Sequence, residues 1–408
     1  MGRGSRNSGE FGGISRHMMY MEGMESRLSC VGARCGCLLA AWLVPSLASV
    51  ALGQAPSITL VGYPNGWAAS RIYGLSADGQ TAAGLAGDAA SRRAGFVWSA
   101  SGGRNDFGLE PGTPLGTWSL GISGDGHTAV GYSWTTQGGA TTAFRWSGAG
   151  TFQSLGTLGS YPYSQATGAN NDGSIIVGTA SSAFDLHAFR WTQAGGMQAL
   201  GPANSEANAI SRDGSTIVGE TAVTSGAPQA FRWTQAGGVQ ALAGLNGSTS
   251  SDAWAVSGDG SYIVGLTVTS TSTTSTIWRN GVPADLGLPV GWHQTSPLAV
   301  SDDGQVVVGT YVGSQSYGAA IWTTTTGFMP LADYLAGFGV VLPSNVILER
   351  CTSVSADGRT FAGWTHGTTA EPGLTQGFVA TIPAPGWLAT LLGSAVFAAR
   401  RRRSRSAT

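Results

Sequence analysis

Polar and apolar positions alternate along most of this chain in short bursts, not in helical stripes. In "EANAIS" (206–211) a small or apolar residue falls at alternate positions, the period of a strand. Asp213-Gly214 then predicts a two-residue hairpin of the primed type, whose positive φ angles Asp and Gly tolerate. "STIVGE" reads as the returning strand, rich in β-branched residues. "QAFRWT" is a third strand, with Phe231 and Trp233 on one face and Ala230 and Arg232 on the other. After the turn "QAGG", "VQALAG" makes a fourth. A helical period is suggested only by "LADYLAGFG" (331–339).

This pattern recurs. "HAFRWTQAGGMQAL" (187–200) returns as "QAFRWTQAGGVQAL" (229–242). An Asp-Gly followed by four residues and a second Gly begins at Asp78, Asp125, Asp172, Asp213, Asp259, Asp303 and Asp357, in steps of 47, 47, 41, 46, 44 and 54 residues. The aromatic phrase keeps pace as "GFVW" at 95, "AFRW" at 143, 188 and 230, "TIW" at 276, "AAIW" at 319 and "GFVA" at 377. Four short strands in about 45 residues are the content of one propeller blade. The expected fold is therefore an all-β propeller of seven four-stranded blades over residues 54–381. The last repeat lacks a fourth strand and "SITLV" (57–61) is a spare one, so the ring is expected to close by pairing the two.

The two ends differ from the body. Residues 1–53 read as an N-terminal extension and signal peptide: Arg27 and Arg34 precede an apolar run, and cleavage is expected after Gly53, with Met24 an alternative start. Three of the four Cys lie in that segment, which leaves Cys351 alone in the body and rules out an internal disulfide there. Residues 382–408 carry Pro383-Ala384-Pro385-Gly386, an apolar run and four consecutive Arg. As a helix, Trp387–Ala399 would span about 20 Å, short of a hydrocarbon core of about 30 Å, with its Arg cluster held on the cytoplasmic side. This tail is expected to be an anchor or sorting signal. The chain contains no Lys, and the body holds eleven Arg against nineteen acids, a net −8 that argues against nucleic acid as partner.

The repeats resemble the extracellular HAF-type repeat, whose literal His-Ala-Phe stands at His187–Phe189. The tail is similar to the PEP-CTERM class of bacterial sorting signals, although its motif lacks the Glu. These resemblances imply a protein that is exported, at the cell surface or extracellular, and at least transiently membrane-anchored. Its partners would be the export machinery and an exosortase-type enzyme. Neither family implies catalysis or a cofactor.

The body has no nucleophile elbow or phosphate loop, and its His are scattered without metal spacing. The repeated Asp are expected to build turns and not to bind metal. In a four-stranded meander the uniform turns share one face of the disc, and the long varied connections lie on the other, where binding is expected. Counting back seven positions from each hairpin Asp gives the expected ring at the channel mouth: Arg71, Trp118, Gln165, Glu206, Asp252, Ser296 and Arg350. Together with the loop aromatics, Trp67, Trp118, Tyr161, Tyr163, Glu206, Asp252 and Trp292 form the candidate ligand-binding face. The expected function is a non-catalytic binding or structural module for an extracellular polysaccharide or surface protein. The alternative is a secreted propeller enzyme acting on polysaccharide.

Overall fold

A computed structural model describes residues 55–63, 67–88, 92–108, 116–134, 139–148, 150–222, 227–314, 316–367 and 375–384. The leader expected over residues 1–53, Pro385, Gly386 and the rest of the tail lie outside them. Among the described residues no helix is long and apolar enough to cross a membrane.

The protein is an all-β propeller. The first strands of the repeats are Trp67–Leu75, Gly116–Ile122, Tyr163–Ala169, Ser205–Ile210, Ser248–Val256, Trp292–Val300 and Val346–Val354. Each lies beside its successor, and the last returns against the first, so they line a closed central channel. From each, antiparallel strands step outward to the rim.

The expectation of seven separate four-stranded blades is corrected by the sheet pairing. Five sheets have four strands, and the sixth is a continuous sheet of eight that holds the first two repeats. A single parallel bridge, Arg93 to Gly116, joins them. Gly116 makes the junction because its φ is 149° and any Cβ there would overlap the carbonyl oxygen of Arg93. Only a residue without a side chain lets the two backbones come within bonding range.

The chain ends meet in one of the four-stranded sheets. Ser57–Val61 pairs antiparallel with Gly377–Thr381, from Ser57 opposite Thr381 to Val61 opposite Gly377. The fold continues one step past the boundary expected from sequence: Ile382 is buried, and its N–H donates to the carbonyl of Arg359 at 2.9 Å. Pro383, also buried, and Ala384, half-buried, end the described chain. The helical stretch is present as Leu331–Gly337, packed through Leu331 and Leu335.

The Asp-Gly turns are longer than the two-residue type the sequence suggests. In each, only the Gly has positive φ, from 66° at Gly304 to 77° at Gly260. At Asp213 the carboxylate accepts from the Ser211 hydroxyl at 2.6 Å and from the Ser215 N–H at 2.9 Å. Ser211 Oγ in turn accepts the N–H of Thr216 at 2.9 Å. The same Ser-x-Asp-Gly geometry recurs at Asp78, Asp125, Asp259, Asp303 and Asp357, with Asn170 in place of Ser beside Asp172. The repeated Asp are therefore turn residues, each accepting bonds from its own loop.

The core lies between neighbouring sheets. Phe96, Phe144, Phe189, Phe231 and Phe378 of the aromatic phrase are fully buried. Its Trp residues divide: Trp98, Trp146, Trp191 and Trp278 are buried, whereas Trp233 and Trp322 are half-buried. Their recurrence in register with the repeat predicts that each of the six fills a gap between neighbouring sheets, and this is corrected for Trp233 and Trp322. Trp191 holds the same place in its strand and is buried, so the neighbouring sheet and not the position along the strand decides the depth.

Candidate functional site

A repeated hydroxyl sets the start of five of the seven inner strands. Ser70, Thr117, Ser164, Ser205 and Ser251 each accept the N–H of the neighbouring repeat's third strand: Gly377, Gly95, Ala143, Ala188 and Ala230, at 2.9–3.1 Å. The next residue along is the one that the sequence places at the channel mouth. Its carbonyl oxygen is where a Cβ on the glycine six positions after the hairpin Asp would fall: Gly84 against Arg71, Gly131 against Trp118, Gly178 against Gln165, Gly219 against Glu206, Gly265 against Asp252, Gly309 against Ser296 and Gly363 against Arg350. A register irregularity follows within two or three residues in every inner strand. The bulge pushes the carbonyl toward the second strand, and only glycine makes room.

The cross-strand partner of each mouth residue stands seven positions after the hairpin Asp. Trp118 faces Tyr132, Glu206 faces Glu220, and Arg350 faces Trp364. Sequence reasoning counted back from the Asp but not forward, and so missed Tyr132, Glu220 and Trp364. The period that found the first set would have found these.

Two chemically distinct sides result. On the fourth and fifth repeats stand Glu206, Glu220 and Asp252. Burial, then the charges of Asp252 and Glu206, push the Glu220 carboxyl up to about 8. Asp252 is held by the side-chain amide of Asn208 at 2.9 Å and by the indole N–H of Trp254. No group of three or more His, Cys, Asp or Glu among the described residues could hold a metal ion.

On the first, second and seventh repeats stand arginines and aromatics. Trp118 stacks on Tyr132 at 5.7 Å between centroids and 23° between planes, and Trp134 lies 6.2 Å from Trp118. Tyr73 lies 5.3 Å from Trp364. The guanidinium carbons of Arg71 and Arg350 are 5.6 and 5.4 Å from the centroid of that same indole. Burial raises the pKa of Tyr73 and of Tyr132 and keeps both phenols neutral.

The structure therefore brings Glu206 and Asp252 together, and sets Trp118 in an aromatic cluster. The other candidates stay apart, on the first, third and sixth repeats. Trp67 and Tyr163 begin inner strands. Tyr161 is engaged with Asp185 at 3.2 Å and His187 at 3.3 Å. Trp292 stacks on Tyr311 at 4.0 Å and 14°.

No family model matches the chain, and no curated protein matches it. Several solved structures do. Oligogalacturonate lyase from Vibrio parahaemolyticus superposes with a TM-score of 0.52 at 11% identity, over 81% of this chain and 98% of that one. The propeller domain of the Trilobed protease from Pyrococcus furiosus gives 0.50 at 12%, over 80% and 94%. TolB from Acinetobacter baumannii gives 0.44 at 17% over 65% of this chain, which spans 63% of that protein. At these identities the likeness to the lyase and to the protease domain is one of fold alone.

Proposed function

We propose that this protein is an exported propeller, at the cell surface or extracellular, that acts as a non-catalytic binding module with a glycan seated at the channel mouth. The observation that supports this most is the half-buried cluster of Trp118, Tyr132 and Trp134 on the mouth wall. Flat aromatic faces there suit the apolar face of a sugar ring, and the carboxylates opposite suit its hydroxyls. The HAF-like repeats and the sorting-type tail, with Pro383-Ala384-Pro385-Gly386 before an apolar run and Arg cluster, support export and a period at the membrane. A glycan array probed with the purified protein tests the reading. Trp118→Ala with Tyr132→Ala should abolish any signal, and an array with no signal at all would sink it.

A second reading has its own observation. Burial and the charges of Asp252 and Glu206 push the Glu220 carboxyl well above the usual glutamate range, and a raised carboxyl beside two others is the division of labour a general acid and its partner base require. A secreted enzyme acting on polysaccharide would use it so. Release of reducing ends or unsaturated products, lost in Glu220→Gln, would establish that reading over the first.

A further inference from the structure

We infer that the arginine side of the mouth takes an anionic group, so that the ligand is an acidic polysaccharide bearing carboxylate or sulfate. This rests on the glycan reading above and adds the chemical class.

Arg71 and Arg350 belong to the inner strands of the first and seventh repeats, which lie side by side. Both guanidiniums gather at one indole, that of Trp364. The Nε of each is buried without a hydrogen-bond partner, as are those of Arg190, Arg212 and Arg232, so what sets this pair apart is the indole they share. Arg92, Arg104, Arg212 and Arg359 each pair with an aspartate. Among the described residues Arg71 and Arg350 form no such pair: Arg71 bonds the neutral phenol of Tyr73, which lies near both guanidiniums, and Glu349, next to Arg350 in sequence and acting on its charge, is 3.9 Å from His366. Two like charges held together in a partly desolvated wall repel one another. An anion between them removes the repulsion and gives their N–H groups acceptors in the forked geometry that carboxylate and sulfate match.

The rest of the mouth gives the site direction. Glu206, Glu220 and Asp252 stand on the fourth and fifth repeats, across the ring from the arginines. An anion is therefore drawn to one side only. The aromatic cluster of Trp118, Tyr132 and Trp134 adjoins that side on the second repeat, and it favours a sugar chain over an acidic peptide.

The test is equilibrium binding of the full chain to four polymers: polygalacturonate, dextran sulfate, neutral dextran and polyglutamate. At least one of the two acidic polysaccharides should bind about tenfold or more tightly than dextran, and the tighter identifies the anion. Arg71→Gln and Arg350→Gln should each weaken it about tenfold, while Arg71→Lys, which keeps the charge, should lose less. Melting curves of each variant report that it is folded. If dextran binds as tightly as the acidic polymers, or the Gln variants bind unchanged, the inference is overturned and the glycan reading stands. If no polysaccharide binds, both fall. If polyglutamate binds as tightly as the acidic polysaccharides, the partner is an acidic peptide and the inference is wrong.

Discussion

At the scale of single residues, the repeat is written by steric and hydrogen-bonding needs that can be tested one at a time. Gly219 cannot carry a Cβ because the carbonyl of Glu206 occupies that space. Gly219→Ala should therefore destabilise the protein by about 2–4 kcal/mol in denaturant unfolding. Gly148→Ala serves as control: it is exposed, without positive φ, and its Cβ would meet nothing closer than 4.0 Å, so a change within about 0.5 kcal/mol is expected. Equal losses at the two positions would show that the bulge is not what demands glycine. Glu220 gives a pH prediction. Its carboxyl titrates near 8 in the fold, far above the usual glutamate value near 4.3. The folded state thus holds a proton that the unfolded chain has released, and between these values stability falls as pH rises. The cost is absent below about pH 4 and fully present above about pH 8. Glu220→Gln should remove it, so the variant should melt higher than the parent at pH 8.5 and about equally at pH 4.5. A variant that melted lower at pH 8.5 would mean the charged form is stabilised in the fold.

At the scale of elements, Phe231 and Trp233 share a strand face but not a fate. Phe231 is fully buried, and Phe231→Ala should cost about 3–5 kcal/mol. Trp233 is half-buried at the margin of the same cluster, opposite Val239, so Trp233→Ala should cost roughly half as much. Urea unfolding of both variants measures the difference, and a larger loss at Trp233 would place the sheet interface further out than the structure has it. The strands, the helix at Leu331–Gly337 and the places of the Asp-Gly turns, though not their length, were legible, because alternation, helical period and turn chemistry are local in sequence. The burial of Trp233 was not, since depth at a strand end depends on how far the neighbouring sheet extends. The bridge at Gly116 was hidden for a similar reason: it rests on an approach of two backbones, and one glycine among 64 carries no mark of it. The mouth was half legible. Counting from each Asp found Glu206 and Asp252, but their interplay with Glu220 comes from strand register, which a count in one direction does not reach.

At the scale of the whole molecule, local ties add into a ring. On the turn face, Asp125 N–H donates to the Asn171 carbonyl at 2.8 Å, Asn171 to Arg212 at 2.9 Å, Asp213 to Gly258 at 3.1 Å, Asp302 to Ala356 at 3.1 Å and Ala356 to Ala77 at 3.0 Å. Gly258 N–H links the fifth repeat to the sixth by donating to the Asp302 carboxylate at 3.0 Å, and the first and second repeats are joined instead by the bridge at Gly116. Nearer the channel, the side chain at the fifth position before the hairpin Asp reaches the next repeat: Thr167 to the Ala207 carbonyl at 2.8 Å, Asn208 to Ala253 at 2.9 Å and Thr352 to Ile72 at 2.9 Å. The bonds from Ala356 and Thr352 join residues that are nearly the whole body apart in sequence, so closure does not depend on the pairing of the chain ends alone. What that pairing adds is a covered edge. Without Ser57–Val61, the strand Gly377–Thr381 would present a free row of backbone groups, and Val61, which is buried, would leave a gap beside Ile72 and Val379. Ser70 would lose the Val61 carbonyl to which it donates at 2.6 Å. Removing residues 54–62 should therefore leave a folded ring that melts lower by on the order of 5 °C. It should also self-associate as concentration rises, because an open edge pairs with another chain. Calorimetry and sedimentation check the two effects together. A truncated protein that stayed monomeric and melted at the parent's temperature would mean that the turn-face and channel bonds hold the ring unaided. Lower melting without self-association would mean that the last sheet frays before its edge can be used.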